Sequence, residues 1–177
     1  SSNTAWYIPI VYPEKKENNF GSDDLEVVLD EIKNILEDPS KAKVGHNIKF
    51  DMYVLKRFDI VVQGVTFDTM IAAHLLNPSA RSISLDSLSL EYLNHETIKI
   101  EELIGKGKNQ ISISHVTLDQ TLFYASENAD ISLQLAKILK VRLKDNTLYE
   151  FFKTIELSLL PVLANMEYNG VFVDANL

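Results

Sequence analysis

Tyr124 and Asn128 stand four residues apart in YASENAD, and Asn47 and Asp51 four apart in HNIKFD. On a helix such spacing puts both members of a pair on one face. A tyrosine hydroxyl beside a carboxylate can orient a water against a metal ion, but the residue four beyond Tyr124 is a carboxamide. The next carboxylate, Asp130, lies about 200° around the helix from position 128 and cannot step in. Asp51, one turn into a helix that follows a strand end, suits a carboxylate site at that end. Taken singly, each pair has a plainer explanation. Asn47 could be a helix cap with Asp51 a surface residue. Phe123, Tyr124, Ile131, Leu135 and Ile138 could be mostly core positions of an amphipathic helix, with Asn128 incidental.

The elements that must position these residues follow from periodicity and punctuation. WYIPIVY (Trp6 to Tyr12) is aromatic and β-branched and predicts a strand with an edge or bulge at Pro9. SDDLEVVLDEIKNIL predicts a helix capped at Ser22 or Asp23 and stopped before Pro39. A short strand from about Lys43 to His46, a helix over IKFDMYVLKRF and a second strand over VVQGVTFD come next. Asp68, at a strand-to-helix junction, reads as a cap rather than a metal ligand. TMIAAHLLN and SLDSLSLEYL read as two helices, the second capped by Ser84. Residues 94–114 are polar, carry two glycines among lysines and read mostly as loop. A long helix from about Thr117 to Leu143 and another from about Leu148 to Tyr168, bent at Pro161, lead into NGVFVD, which predicts a closing strand. The order is α/β early and α-rich late.

Composition excludes whole classes. The chain has 177 residues, 46% of them hydrophobic, enough for one buried core. It has no cysteine, which removes disulfides, thiolate metal sites and thiol nucleophiles. No apolar run reaches membrane-spanning length and SSNTAWYIPI lacks a signal-peptide layout, so a soluble chain is expected. A net charge of −8 argues against bulk electrostatic capture of nucleic acid, though a nuclease site is itself acidic. His46 reads as a structural strand-end residue, and His74, His95 and His115 show no metal spacing.

Read together and in order, KVGHNIKFD, FDTMIAAHLLNP, SLDSL, IGKGKNQ, YASENAD and MEYNGVFVD resemble the 3′→5′ proofreading exonuclease domain of bacterial family A DNA polymerases, the DNA polymerase I family, from Tyr7 to Asp174. The resemblance implies an α/β, ribonuclease H-like fold of the DnaQ-like exonuclease type. It implies two divalent metals, Mg²⁺ or Mn²⁺, held by four carboxylates, one metal and a tyrosine-held water attacking the terminal phosphodiester. It assigns Asp51 as metal ligand, Tyr124 as the residue orienting the water, and Asn128 as the degenerate third-motif position. Asn47, Phe50 and Arg81 would contact the substrate strand, and Ile100 would wedge between unstacked bases at its 3′ end. Lys106, Lys108, Asn109 and Gln110 are weaker candidates. The partners implied are the 3′ end of single-stranded DNA and a polymerase domain of the same chain, in a cytoplasmic monomer serving DNA replication and repair. Residues 1–168 would be the exonuclease-like domain and 169–177 the start of the junction to the polymerase.

Two departures from the family pattern matter. No Asp-x-Glu precedes Trp6, so the fold is expected to lack its first strand or strands, and position 128 is an amide. Of four carboxylates only Asp51 remains, and two cations held near each other need several to offset their repulsion. The expectation is a catalytically impaired domain that does not hold the metal pair. Two rival readings are an exonuclease active when its upstream strand is present, and an RNA-processing exonuclease resembling ribonuclease D.

Overall fold

The computed structural model describes residues 4–9 and 22–173. Helix α1 (Ser22–Leu36) leads to strand β1 (Lys43–Gly45), helix α2 (Ile48–Lys56) and strand β2 (Val65–Asp68). β1 and β2 run parallel, with Val44 opposite Phe67 and Gly45 opposite Asp68, so α2 is the crossover that a parallel pair requires. Gly64 sets the entry to β2 at φ +69°, where an added Cβ would stand 2.6 Å from the carbonyl oxygen of Lys41. Its own carbonyl accepts the Lys43 N–H at 2.9 Å and starts the ladder.

The helices that follow are short except one. They are α3 (Thr69–Leu76), α4 (Leu85–Leu93), α5 (Ile100–Ile104), the 28-residue α6 (Leu118–Asp145), the single turn α7 (Tyr149–Phe151) and α8 (Leu157–Asn169). Ser84 and Thr117 cap α4 and α6 by accepting from the N–H groups of Ser87 and Gln120. On α6, Ile131, Leu135, Leu139 and Leu143 recur every four residues and are all buried. That stripe, packed beside β1, α3 and α4, is the spine of the core. Residues 94–114, expected mostly as loop, do contain α5 and two 3₁₀ turns.

Between α7 and α8 the chain makes a π turn, Phe152–Glu156. Phe152 is fully buried with its ring 4.8 Å from that of Phe67, and Leu157 is buried in the same cluster. Five residues of α-helix would set those side chains about 140° apart; the wider π turn brings both toward one core. The departure from α-helical geometry is this π turn, upstream of Pro161, which lies inside α8 and brings no N–H to it.

Two expected strands are not found. Trp6 to Pro9 form no strand, and the Trp6 side chain is 83% exposed; Ile10 to Tyr12 lie outside the described residues. Strand propensity reflects fit to a half-buried pleated surface, and among the described residues the indole has no such surface. At the other end Gly170 stops α8 at φ +70°, and Val171, Phe172 and Val173 continue without strand pairing, Phe172 at 93% exposure. Asp174 lies outside the described residues.

Asp68 is the fixed point between sheet and helices. It is 0% exposed, and its carboxylate accepts from Met70 N (2.9 Å) and Ile71 N (3.1 Å) at the start of α3. It also accepts from Ile48 N (2.7 Å) and, at longer range, Asn47 N (3.4 Å) at the start of α2. Asp68→Ala leaves these donors buried without a partner, so the expected loss of stability is about 3 kcal/mol. Ser84→Ala, which removes a single cap, should cost about 1 kcal/mol. Urea unfolding of the two variants side by side checks this; equal losses would contradict the double-cap role.

Candidate functional site

The strand ends deliver one group of the expected residues. Asn47 holds the N-cap position of α2 in the left-handed conformation (φ 58°, ψ 46°), which Asn tolerates better than most residues. Its side chain makes no capping bond, so the plainer reading of Asn47 as a cap fails: Asp68 supplies that oxygen from 21 residues away. Asp51 follows in the first turn of α2. Burial of its surroundings and then the Asp68 charge push its carboxyl up to about 6. Water still reaches Asp51, and among the described residues it has no cation or hydrogen-bond partner. The two carboxylates are unequal. Asp68 is saturated by backbone donors, whereas Asp51 has nothing to balance its charge.

His46, just before Asn47, has its Nδ1 2.9 Å from the Thr69 hydroxyl, which in turn donates to the Gly45 carbonyl. Burial lowers the imidazole pKa, against the opposing pull of Asp68 and Asp86. A neutral ring tied to the two strand ends is the structural role expected of it.

Helix α6 carries the second group. Tyr124 and Asn128 are half-buried, and among the described residues neither the phenol nor the side-chain amide has a hydrogen-bond partner. The Asn128 carbonyl accepts from the Ser132 hydroxyl at 2.8 Å, a bond made by the backbone that leaves the amide uncommitted. Asp130 accepts from Gln134 and lines a different hollow, with Leu93, His95, Glu127 and Ile131. It does not substitute for a carboxylate at 128. Phe123, weighed as a core position, is 67% exposed, while Ile131 and Leu135 are buried.

Phe50 is 61% exposed at the lip of an apolar hollow of about 570 Å³ shared with Asp51, Val54 and Val62. Arg81 stands exposed between α3 and α4 without a carboxylate partner among the described residues. Ile100 is the first residue of α5, half-buried, on a helix that lies against α6. Lys106, Lys108, Asn109 and Gln110 are exposed in and beside the first 3₁₀ turn. The structure thus joins Asn47, Phe50 and Asp51 through one helix start, and Tyr124 and Asn128 through one helix face. No hydrogen bond among the described residues links the two groups.

Sequence reasoning missed Glu127. Its carboxylate lies 2.8 Å from His95 Nε2 and accepts the Ile98 N–H at 2.8 Å. With Asp86 accepting from the Thr97 hydroxyl and Ser89 donating to the His95 carbonyl, it straps the segment before α5 onto α4 and α6. Glu127 adjoins Asn128 in YASENAD, but nothing in that spacing signals contacts with residues about thirty positions earlier.

A metal pair does not fit what is described. Among the described residues there is no group of three or more His, Cys, Asp or Glu side chains arranged to hold a metal ion. The available donors are one unbalanced carboxylate, Asp51, and the neutral Asn128 amide; the Asp68 oxygens are already taken by N–H groups.

A family model described as 3′-5′ exonuclease matches residues 11–144. DNA polymerase I of Pseudomonas aeruginosa is 41% identical over 157 residues, spanning 87% of this chain and 17% of that protein. DNA polymerase I of Rhizobium leguminosarum is 34% identical over 176 residues, spanning 96% of this chain and 17% of its own length. The chain therefore spans 17% of the length of these relatives. Among solved structures, the POL domain of Pol1 from M. smegmatis, in complex with DNA primer-template and dNTP, aligns with a TM-score of 0.68 at 26% identity. It covers 89% of this chain and 24% of that chain. Brucella melitensis NrnC aligns with a TM-score of 0.67 at 23% identity, over 78% of this chain and 64% of that one, a likeness of fold.

The Asp51 carboxyl is raised in the folded protein, so between its unfolded pKa and about 6 the native state binds more protons than the unfolded one. Stability therefore falls as pH rises through that window. Asp51→Asn should stabilise the fold at pH 7.5 by on the order of 1 kcal/mol, a figure discounted for solvent screening, and be neutral below pH 4. Urea unfolding of both proteins at pH 3.5 and 7.5 tests this; a variant less stable at pH 7.5 would show that Asp51 has a stabilising partner.

Proposed function

This chain belongs to the 3′-5′ exonuclease domain family of DNA polymerase I, and from that premise we propose that it binds the 3′ end of a single DNA strand without cutting it at a useful rate. The observation that carries this reading is the donor set. Hydrolysis by a metal pair needs several carboxylates in one place. Asp51 is the one uncommitted carboxylate at the strand ends, it sits beside a second negative charge, and position 128 carries an amide.

What the remaining residues can do is hold a strand. Tyr124 and Asn128 offer a phenol and an amide with free hydrogen-bonding capacity on one face of α6. Asn47 offers a second amide at the start of α2, and the exposed ring of Phe50 a surface on which a base can stack. The exposed guanidinium of Arg81 can take a phosphate in two parallel hydrogen bonds. Ile100, at the start of α5 after the strapped segment, would serve as the apolar wedge. The Asp51 carboxylate opposes a nearby phosphate at neutral pH and stops doing so once protonated near pH 6. Binding should therefore tighten as pH falls toward 5.

In this reading residues 1–168 are the exonuclease-like domain and 169–177 begin the junction to a polymerase domain of the same protein, working as a monomer in the cytoplasm. Among the described residues no helix is long and apolar enough to cross a membrane, which is compatible with that location.

The test is a 3′-labelled oligothymidylate incubated with the chain and with Asn128→Asp, with Mg²⁺ and Mn²⁺ titrated calorimetrically into each. The chain should bind the strand and leave its length unchanged, and Arg81→Ala should weaken binding about fivefold, or ~1 kcal/mol. The salt slope should fall by about 1 in that variant. Metal-dependent shortening by the unmodified chain would refute the impaired site. Failure to bind the strand at low salt would refute the end-binding role. Trimming by Asn128→Asp alone would place the whole defect at that amide, and trimming by neither protein would show that the amide is not the whole defect.

A further inference from the structure

Three lysines converge where no carboxylate meets most of their charge. A hollow of about 590 Å³ is floored by Val44, Val65 and Phe67 from the two strands and by Leu133 and Ala136 from α6. Lys137 and Lys140 from α6, Lys153 from the π turn and the Ser158 hydroxyl stand around it, and the Tyr149 ring forms one wall. Lys140 Nζ lies 5.6 Å and Lys144 Nζ 5.3 Å from the centroid of that ring. Among the described residues none of Lys137, Lys140 and Lys144 has a carboxylate at ion-pair distance. Lys153 reaches only Glu150, at 3.9 Å, and both of those side chains are more than half exposed.

In a chain of net charge −8 this is a local excess of positive charge over an apolar floor. Two ammonium groups drawn to one ring are in a cation–π arrangement worth little at an exposed site, and a stronger anion would displace it. The volume falls within the range of small-molecule sites, about 300–1,000 Å³.

We propose that this hollow is a nucleotide site, separate from the Asp51 and Asn128 region. The phosphate would sit between Lys137, Lys140 and Lys153, with the Ser158 hydroxyl donating to it. As the phosphate draws Lys140 off Tyr149 and the exposed Lys144 swings to solvent, the ring takes the base. The Phe152 ring also packs on Tyr149, with centroids 6.5 Å apart. The same chemistry suits a free nucleoside monophosphate or one nucleotide of a strand. Lys137 and Lys140 lie nine and twelve residues beyond Asn128 along α6, roughly 14 and 18 Å, on a different part of its circumference. A ligand can therefore fill this hollow with the end-binding residues empty.

The experiment titrates thymidine 5′-monophosphate, an oligothymidylate and inorganic phosphate into the full chain, followed by calorimetry and amide chemical shifts. It is repeated on Lys137→Gln/Lys140→Gln, and on Lys33→Gln/Lys41→Gln, which removes the same charge from the end of α1 and the loop after it. The expected result is saturable binding of the monophosphate, with shifts at Lys137, Tyr149 and Ser158. Binding should weaken at least fivefold in the first variant and less than twofold in the second. Binding of the oligomer but not the monophosphate, with the same dependence on Lys137 and Lys140, identifies a strand as the source and supports the site. Three results overturn it: no saturable binding of either nucleotide ligand, equal weakening in both variants, or inorganic phosphate binding as tightly as the nucleotide. Arg81→Ala should leave monophosphate binding unchanged, so failure of this site and failure of the end-binding reading are separable.

Discussion

The carboxylate of Asp68 accepts backbone N–H groups from the first turns of two helices while sitting, fully buried, at the end of a parallel strand. Most buried charges require an ion of opposite sign; this one is balanced by the partial positive charges at two helix starts. The starts of α2 and α3 are therefore tied to one side chain. Everything else at the strand ends follows from it. Asn47 can take the left-handed conformation without its own amide being needed as a cap. Asp51 is carried on α2 to a place where a fixed negative charge faces it. A carboxylate that must sit beside another without a cation is an unrelieved repulsion.

Helix α6 is the second organising element, and its faces do different things. The buried stripe of Ile131, Leu135, Leu139 and Leu143 holds the core. Among the described residues the Tyr124 phenol and the Asn128 side-chain amide have no hydrogen-bond partner, and Glu127 ties down the segment that leads to Ile100. Farther along, Lys137 and Lys140 reach over the sheet floor. One long helix thus serves packing, a candidate strand-end site and a candidate nucleotide hollow, because successive residues are rotated by about 100° and can face separate surroundings.

Much of the architecture was legible from local signals. The caps Ser84 and Thr117 and the apolar spacing of α6 act over three or four residues and can be read directly. Asp68 was recognised as a cap for the same reason. The strands at the two ends failed for a complementary one: WYIPIVY and NGVFVD have the composition of strands, but a strand exists only by pairing and burying a face. Trp6 and Phe172 remain exposed instead. The π turn was hidden as well, since Phe152, at its start, and Leu157, just after it, meet in one core that no local spacing records.

By itself the sequence determined the longer helices, the order of motifs that places the chain in its family, and the uncharged residue at position 128, because each is a matter of residue type and short-range spacing. Only the tertiary structure decided that Asp68 serves two helices, that Asp51 is raised to about 6, that Glu127 straps a segment some thirty residues earlier, and that three lysines share one hollow. Those depend on through-space distances between residues remote along the chain. Such distances are set when the apolar faces close on one another, and no periodicity in the sequence records them.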